Sequence, residues 1–331
     1  MIEKLSCVSA SGTDPYANLA LEEYLLGITQ PNECILYLWQ NEKTVVVGRN
    51  QNCWRECRVT ELEAAGGHLA RRLSGGGAVY HGLGNLNFTF LVPRGDFSID
   101  RQTEVILRAV RAFGIAAERT GRNDLTVGGK KFSGNAYYRT ERACYHHGTL
   151  LVQNASAEME KYLSVSREKL RTKNVDSVRA RVCSLADYCG DITVNSLRRA
   201  LPAALAEVYG HPVSALKAER IDRTALAALR RKYASPEWKY GRRFSFEYEI
   251  GRRFPWGGLL LQLHVENGRI EDLAVWSDAL DTSCPGLVHD ALLHTTFTPE
   301  AIRAALRAVP TADETQATML KDTQTLLREA M

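Results

Sequence analysis

The segment RRLSGGGAVYHGLGN, residues 71–85, gathers two arginines, five glycines, a serine and a histidine in one short stretch. Glycine lacks the Cβ that holds a ligand off the backbone, so successive N–H groups in such a run can converge on phosphate or carboxylate oxygens. Arg71 and Arg72 precede the run with guanidinium forks suited to oxyanions. Ser74 and His81 can donate or accept at its edges. Read alone, the segment is an anion nest or a plain hairpin with permissive glycines. Two familiar phosphate loops are excluded. Gly77 is followed by Ala78-Val79-Tyr80, not by the Lys-Ser/Thr of a P-loop, and Gly82-Leu83-Gly84 leads into a strand, not into the helix a dinucleotide fingerprint opens.

A second constellation lies fifty residues on. Asn123 and Asp124 stand on one side of Gly128-Gly129 and Lys131 on the other, so a tight turn brings a carboxylate and an ammonium together. Any such pair can be an ordinary surface ion pair. Beside an anion nest, the Asp suits Mg²⁺ carried by phosphates, and the Lys suits charge that develops on a reacting phosphate.

The elements that must hold these residues read as a mixed α/β or α+β fold. Residues 14–27 predict a helix with Asp14 as N-cap and Gly27 just past its end, and 99–113 a second one closed by Gly114. Residues 34–40 and 44–48 are short, β-branched or aromatic runs and read as buried strands; NFTFLV (87–92) alternates, and HGTLLV (147–152) is another strand. Residues 51–66 carry polar helical spacing, and 157–232 are mostly helical around a basic, aperiodic stretch at 170–184. Hairpins between strands favour a mixed sheet over a doubly wound parallel one. Pro, Gly and clustered charge in 234–246 mark a boundary, after which strands, an Asn267-Gly268 turn and helical stretches at 287–308 and 311–330 form a smaller unit.

Composition sets outer bounds. With 45% hydrophobic and 24% charged residues and a net charge of +4, the 331-residue chain reads as a globular enzyme, too weakly basic for nucleic-acid binding. No apolar run is long enough for a membrane span, and the first residues lack a signal-peptide core. Eight cysteines then read as free thiols in a reducing compartment, with a cytoplasmic location as the expectation. Cys53 and Cys57 sit four apart but lack the two further neighbours that structural zinc requires.

RRLSGGGAVYHGLGN, GRNDL (121–125), KKFSGNAY (130–137) and HHGTLL (146–151), in this order, resemble the lipoate–protein ligase family, whose fold is shared with biotin–protein ligases and octanoyltransferases. The resemblance implies a biotin/lipoate ligase-like large domain over 1–241, a linker at 242–248 and a smaller α/β accessory domain over 249–331. It implies conversion of lipoate and ATP, with Mg²⁺, to lipoyl-adenylate, and transfer of the lipoyl group to a lysine of an acceptor. Acceptors would be the lipoyl domains of 2-oxoacid dehydrogenase complexes and the glycine cleavage H protein, with no nucleic-acid or membrane partner. By position, Arg72, Ser74, Gly75, Gly76, Gly77, Val79, Tyr80, His81 and Asn85 would line the acyl-adenylate pocket. Asn123 and Asp124 would serve the adenylate, Asp124 also its metal; Lys131 would be the essential lysine, followed by Ser133, Gly134 and Ala136. His147, Gly148 and Thr149 would close the acyl side, and the segment from Lys173 to Arg181 would be the loop covering the adenylate. Two departures are Tyr138, where some relatives carry Arg, and Val182-Cys183-Ser184, where Val-Thr-Asn is common. Leu73, Val79, Tyr80 and Tyr145 are placed to help form an apolar slot for the acyl tail. Two alternatives stand beside the ligase: an octanoyl or lipoyl transferase using Cys144, three residues before His147, and a non-catalytic lipoate-binding homologue.

Overall fold

The computed structural model describes residues 1–121, 124–153, 156–164, 182–241 and 245–331. The chain begins with β1 (Lys4–Ser9), α1 (Pro15–Ile28), β2 (Glu33–Trp39), β3 (Thr44–Val47), α2 (Cys53–Glu56), α3 (Val59–Ala64), β4 (His68–Arg71), β5 (Val79–His81), β6 (Asn85–Pro93) and α4 (Ile99–Arg111). It continues through β7 (Ala117–Thr120), β8 (Asp124–Val127), β9 (Lys130–Arg139), β10 (Ala143–Leu151), α5 (Ser156–Tyr162), α6 (Val194–Tyr209), β11 (Val213–Ala215), α7 (Arg223–Ala234) and α8 (Pro236–Tyr240). The last elements are β12 (Tyr248–Phe254), β13 (Gly257–Glu266), β14 (Arg269–Ser277), α9 (Cys284–Leu292), α10 (Pro299–Arg307) and α11 (Glu314–Ala330).

The main sheet has eight strands in the order β11-β1-β2-β6-β10-β9-β8-β7. Only β11, β1 and β2 run parallel; the other neighbours are antiparallel, so the mixed α/β reading holds. Every residue of β2 is buried, because both faces of the sheet are covered. On one face Leu36, Leu38, Phe88 and Phe90 pack against Val105, Val110, Leu201 and Leu205 of α4 and α6. On the other, Ile35, Tyr37, Trp39 and Tyr145 pack against Leu19 and Leu25 of α1 and against Val46 and Ala70 of a second sheet, ordered β4-β3-β5.

This double cover changes the meaning of the alternation in β6. Its polar residues would ordinarily face water. Here Asn87 and Thr89 are fully buried, so the polar face of the strand lies inside the molecule. α1 starts as expected: Asp14 caps it, accepting from the N–H groups of Tyr16 and Ala17, with Pro15 in the first turn. It runs one residue beyond Gly27, to Ile28, and Thr29 is the C-cap. The polar stretch 51–66 divides into the short helices α2 and α3.

Residues 248–330 assemble their own core, in which Leu261, Leu263, Ile270 and Leu273 meet Val288, Leu292, Ile302, Leu306 and Leu327. The single helical stretch expected at 287–308 is two helices. His294 adopts φ +60, Thr296 bridges to Arg269, and Thr298 caps a fresh start with Pro299 in its first turn. A histidine in the left-handed region and β-branched neighbours end α9, and the cap begins α10. This unit reaches the larger one through backbone contacts: Gly76 N–H donates to Ala279 O (3.1 Å) and Ser277 N–H to Asn50 O (2.8 Å).

Candidate active site

The buried polar face of β6 opens onto a cavity of ≈170 Å³ between the main sheet and the β4-β3-β5 sheet. Leu19, Trp39, Val46 and Val79 give it apolar walls, while Arg72, His81, Asn87, Lys131, His147 and Thr149 add polar groups. A largely apolar slot with a few placed polar groups fits a small acid with a hydrocarbon tail.

A chain of hydrogen bonds runs beside the cavity. Trp39 Nε1–H donates to Thr89 Oγ1 (3.0 Å), which donates to Glu22 Oε1 (2.6 Å). The same oxygen lies 2.8 Å from His147 Nδ1, and His147 Nε2 lies 2.7 Å from Ser74 Oγ. The Glu22 carboxylate only accepts, so His147 Nδ1 carries a proton, and Nε2 shares a hydrogen bond with Ser74 Oγ. Ser74 in turn accepts from Arg72 Nε–H (3.0 Å). Glu22, Ser74 and His147 have the order of a nucleophile, base and orienting acid, but Ser74 is fully buried, occupied on both sides and not on the cavity wall. Their effect is to fix Arg72. Its remaining N–H groups grip Val46 O (3.1 Å), Gly75 O (2.7 Å) and Gly77 O (2.8 Å), so the guanidinium holds the glycine loop in shape. Burial lowers the Arg72 pKa to about 10, which still leaves it charged near neutral pH. Arg71 does the same elsewhere: it donates to the carbonyls of Gly48, Gln51, Trp238 and Lys239. Both forks hold backbone carbonyls.

Lys131 stands where β9 meets the cavity. Gly128 (φ +56) and Gly129 (φ +75) make the tight turn between β8 and β9. A bulge then shifts the register: Thr126 pairs with Lys131, but Leu125 pairs with Ser133 and Asp124 with Gly134. Because side chains alternate along a strand, this extra residue puts Asp124, Lys131 and Gly134 on one face. Lys131 Nζ lies 2.7 Å from Asp124 Oδ1, and each side chain keeps about a third of its exposure (36% and 34%). Nζ is also 3.0 Å from where a Cβ on Gly134 would stand, so glycine lets the ammonium lie over the strand.

The other expected residues fall into three groups. Gly76, Gly77, Val79, His81, Gly134, Ala136, His147, Gly148 and Thr149 line the cavity with Arg72 and Lys131. Gly148 contributes backbone, since a Cβ there would come within 2.7 Å of Phe88 and of Gly134 O. Ser74, Gly75, Tyr80, Asn85, Asp124 and Ser133 stand behind or beside the wall. Asn85 Nδ2–H donates to Tyr80 O (3.0 Å) and secures the glycine loop's exit, and Tyr80 stacks on Tyr162. A Cβ on Gly75 would overlap the carbonyl oxygen of Ala279, so that glycine admits the C-terminal unit. Asn123, Lys173 and Arg181 lie outside the described residues. Of the residues suggested for the tail slot, only Val79 reaches the cavity; Leu73, Tyr80 and Tyr145 are core.

Sequence reading missed Leu19, Trp39, Val46, Asn87, Asn135 and the buried Glu22. The alternation of Asn87 and Thr89, directly after the glycine loop, was the one signal that a strand there carries polar groups inward. Cys144 does not join the site. It is fully buried, one place off the face that His147 and Tyr145 share on β10, and burial raises its thiol pKa. Among the described residues no group of three or more His, Cys, Asp or Glu is arranged to hold a metal, and no helix is long and apolar enough to cross a membrane.

Comparison with known proteins fits this geometry. Residues 14–206 match the model of the lipoyl protein ligase A/B catalytic domain, and 243–327 match that of the bacterial lipoate protein ligase C-terminus. Lipoate-protein ligase A of Psychrobacter cryohalolentis is 38% identical over 91% of this chain and 91% of its own. Among solved structures, Plasmodium falciparum LipL1 in complex with lipoate superposes with a TM-score of 0.86 at 27% identity, covering 98% of this chain and 99% of that one. A bi-partite lipoate protein ligase of Thermoplasma acidophilum, solved in a study of it and its E2 lipoyl domain, has a TM-score of 0.63 at 26% identity and covers 74% of this chain and 99% of its own. The cavity, its lysine and these matches lead to one conclusion: the chain is an enzyme of the lipoate–protein ligase A family.

Proposed function

We propose that this ligase joins the carboxylate of lipoate to the α-phosphorus of ATP, releasing pyrophosphate, and then passes the lipoyl group to a lysine amine of an acceptor domain, releasing AMP. The observation that carries this reading is the position of Lys131: an ammonium over Gly134, at the wall of a largely apolar cavity. In the first step two anions meet and charge grows on phosphate oxygens; a fixed ammonium there offsets the repulsion without reorganising. The cavity shields the acyl chain while its carboxyl end stays at Lys131. Among the described residues Asp124 offers this site a single carboxylate, which fits Mg²⁺ as an ion carried by the nucleotide, since Mg²⁺ is suited to one or two carboxylates plus phosphates. Bound there, it would neutralise phosphate charge. The Thermoplasma acidophilum ligase, studied together with its E2 lipoyl domain, supports lipoyl domains as acceptors. Those of 2-oxoacid dehydrogenase complexes and the glycine cleavage H protein are the acceptors we assign, in the cytoplasm. We further read 1–241 as the catalytic unit and 249–331 as the accessory unit, joined at 242–248; the C-terminal unit's own core, distinct from the clusters of the larger unit, supports that division.

The test is lipoate-dependent ATP–pyrophosphate exchange, followed by mass measurement of a purified lipoyl domain after incubation with ATP, Mg²⁺ and lipoate. Exchange and a lipoyl mass increment on the domain are expected. Transfer from an octanoyl carrier protein without ATP, and no exchange, would overturn the reading.

A further inference from the structure

Two adjacent histidines stand on β10, and only one of them faces the acyl cavity. Neighbouring residues of a strand point to opposite faces of the sheet. His147 lines the cavity; His146 points the other way, toward α4. It is fully buried, and its ring lies against Phe88, Phe90 and Tyr137, with centroids 5.5, 6.0 and 4.9 Å away. It takes no part in the chemistry proposed above.

A polar chain crosses the apolar core at this point. His146 Nδ1 lies 3.2 Å from Gln102 Oε1 on α4, and its Nε2 lies 2.8 Å from Asn135 Oδ1 on β9. Gln102 is fully buried and Asn135 nearly so. Burial lowers the His146 pKa to about 3, so the ring is neutral. A neutral imidazole donates from one nitrogen and accepts at the other, and each amide offers both kinds of group. The ring therefore ties α4 to β9 by two directional bonds, in surroundings where such bonds are strong. Asn135 Nδ2–H continues the chain to Ser133 Oγ, 3.4 Å away.

This chain ends at the floor beneath Lys131. Pairing of β9 with β10 stops at Asn135, opposite Gly148. From there toward Lys131, β8 meets β9 through a bulge, with Leu125 opposite Ser133 but Thr126 opposite Lys131. The ladder is thus weakest where the lysine needs a fixed support. The Lys131 ammonium lies over Gly134 on the cavity face. The Asn135 side chain lies on the opposite face, with Oδ1 2.8 Å from where a Cβ on Gly148 would stand, so glycine at 148 leaves it room. The Gly134–Asn135 stretch carries the ammonium on one face and is pinned from the other.

Resting on the ligase reading above, we propose that His146 is a positioning residue: held by Gln102, it pins Asn135 and so fixes the part of β9 over which the Lys131 ammonium lies. Its contribution falls on the reacting step, where a small displacement of a charged group weakens transition-state stabilisation, and not on affinity for the acid.

The experiment measures kcat and KM for lipoate in ATP–pyrophosphate exchange for the unaltered protein, His146→Leu, His146→Gln and Gln102→Leu. His146→Leu fills the space with an apolar side chain and removes both bonds. It is expected to lower kcat by about tenfold or more and to leave KM within about twofold. His146→Gln keeps a donor and an acceptor and should recover most of the loss. Gln102→Leu breaks the chain at α4, away from the cavity, and should show the same pattern more weakly. The double variant should be no worse than His146→Leu alone, since the two residues act as one unit. An unchanged kcat in both leucine variants would overturn the role, as would a loss carried by KM alone or a His146→Gln variant no better than His146→Leu. Should His146→Leu fail to fold, Gln102→Leu carries the test, and an unchanged kcat there overturns the role. Each of these results leaves the ligase reading standing, whereas no exchange by the unaltered protein would overturn both.

Discussion

Gly75 of the glycine loop and the two glycines of the 128–129 turn look alike in sequence and serve opposite needs. At Gly128 and Gly129 the backbone is left-handed, with φ of +56 and +75, and a Cβ at either would meet nothing within 4 Å. Glycine is there for its backbone conformation. At Gly75 the backbone needs no positive φ, but a Cβ would run into the Ala279 carbonyl, and Gly76 N–H bonds to that same carbonyl. Glycine is there because another part of the molecule occupies the space. One pair aims Lys131; the other joins the acyl cavity's wall to the C-terminal unit. The loop is held from both sides: Arg72 takes its carbonyls, and Ala279 takes one of its N–H groups.

Three measurements break or sharpen that contrast. The largest effect belongs to the lysine that the turn presents. Lys131→Ala should lower kcat for lipoate-dependent pyrophosphate exchange by about a thousandfold, the scale on which preorganised charge acts on a transition state. A loss under tenfold would mean the ammonium is only an ion-pair partner of Asp124.

Next come the two kinds of glycine. Gly75→Ala must push the Ala279 segment away, so it should cost about 1–3 kcal/mol by denaturant unfolding and alter proteolysis between the two units. Gly128→Ala meets no atom and strains only its own backbone, a cost of about 1 kcal/mol that leaves the contact between the units unchanged. Equal effects on that contact would erase the distinction.

The smallest effect concerns pH. His81 and His146 are both buried, and burial lowers each pKa from the ordinary value to about 3. The unfolded chain binds protons on these rings below about pH 6.5, whereas the folded chain does not. The stability that comes from keeping them neutral is thus complete above about pH 6.5 and is lost as pH falls toward 3. Thermal unfolding followed downward from neutral pH should show this decline, and His146→Gln should flatten it; an unchanged slope would remove His146 as a contributor.

Much of the site was legible in the chain. The two constellations announced themselves by residue type and spacing, and the Gly128-Gly129 turn, Asp14 cap and Asn267-Gly268 hairpin by local chemistry. The helix expected at 287–308 was not a single one, because the left-handed His294 and the bridge of Thr296 to β14 depend on a neighbouring strand. Glu22 was invisible because it stands in a helical run and becomes a buried partner only when β10 brings His147 within 2.8 Å of it. Asn87 looked like the wet side of a strand until α1 and the β4-β3-β5 sheet covered that face.

By itself the sequence determined the family, the lysine and the local turns, since these rest on residue identity and on backbone preferences over a few positions. Only the tertiary structure decided which groups meet. The bulge that places Lys131 on the face of Gly134 is a matter of register between strands, and one residue's slip turns a side chain to the other face. The occupation of Arg72 by loop carbonyls, and the burial of Asn87 and His81, are likewise sums over distant segments. No window of sequence contains them, because burial and partnership belong to the packed molecule.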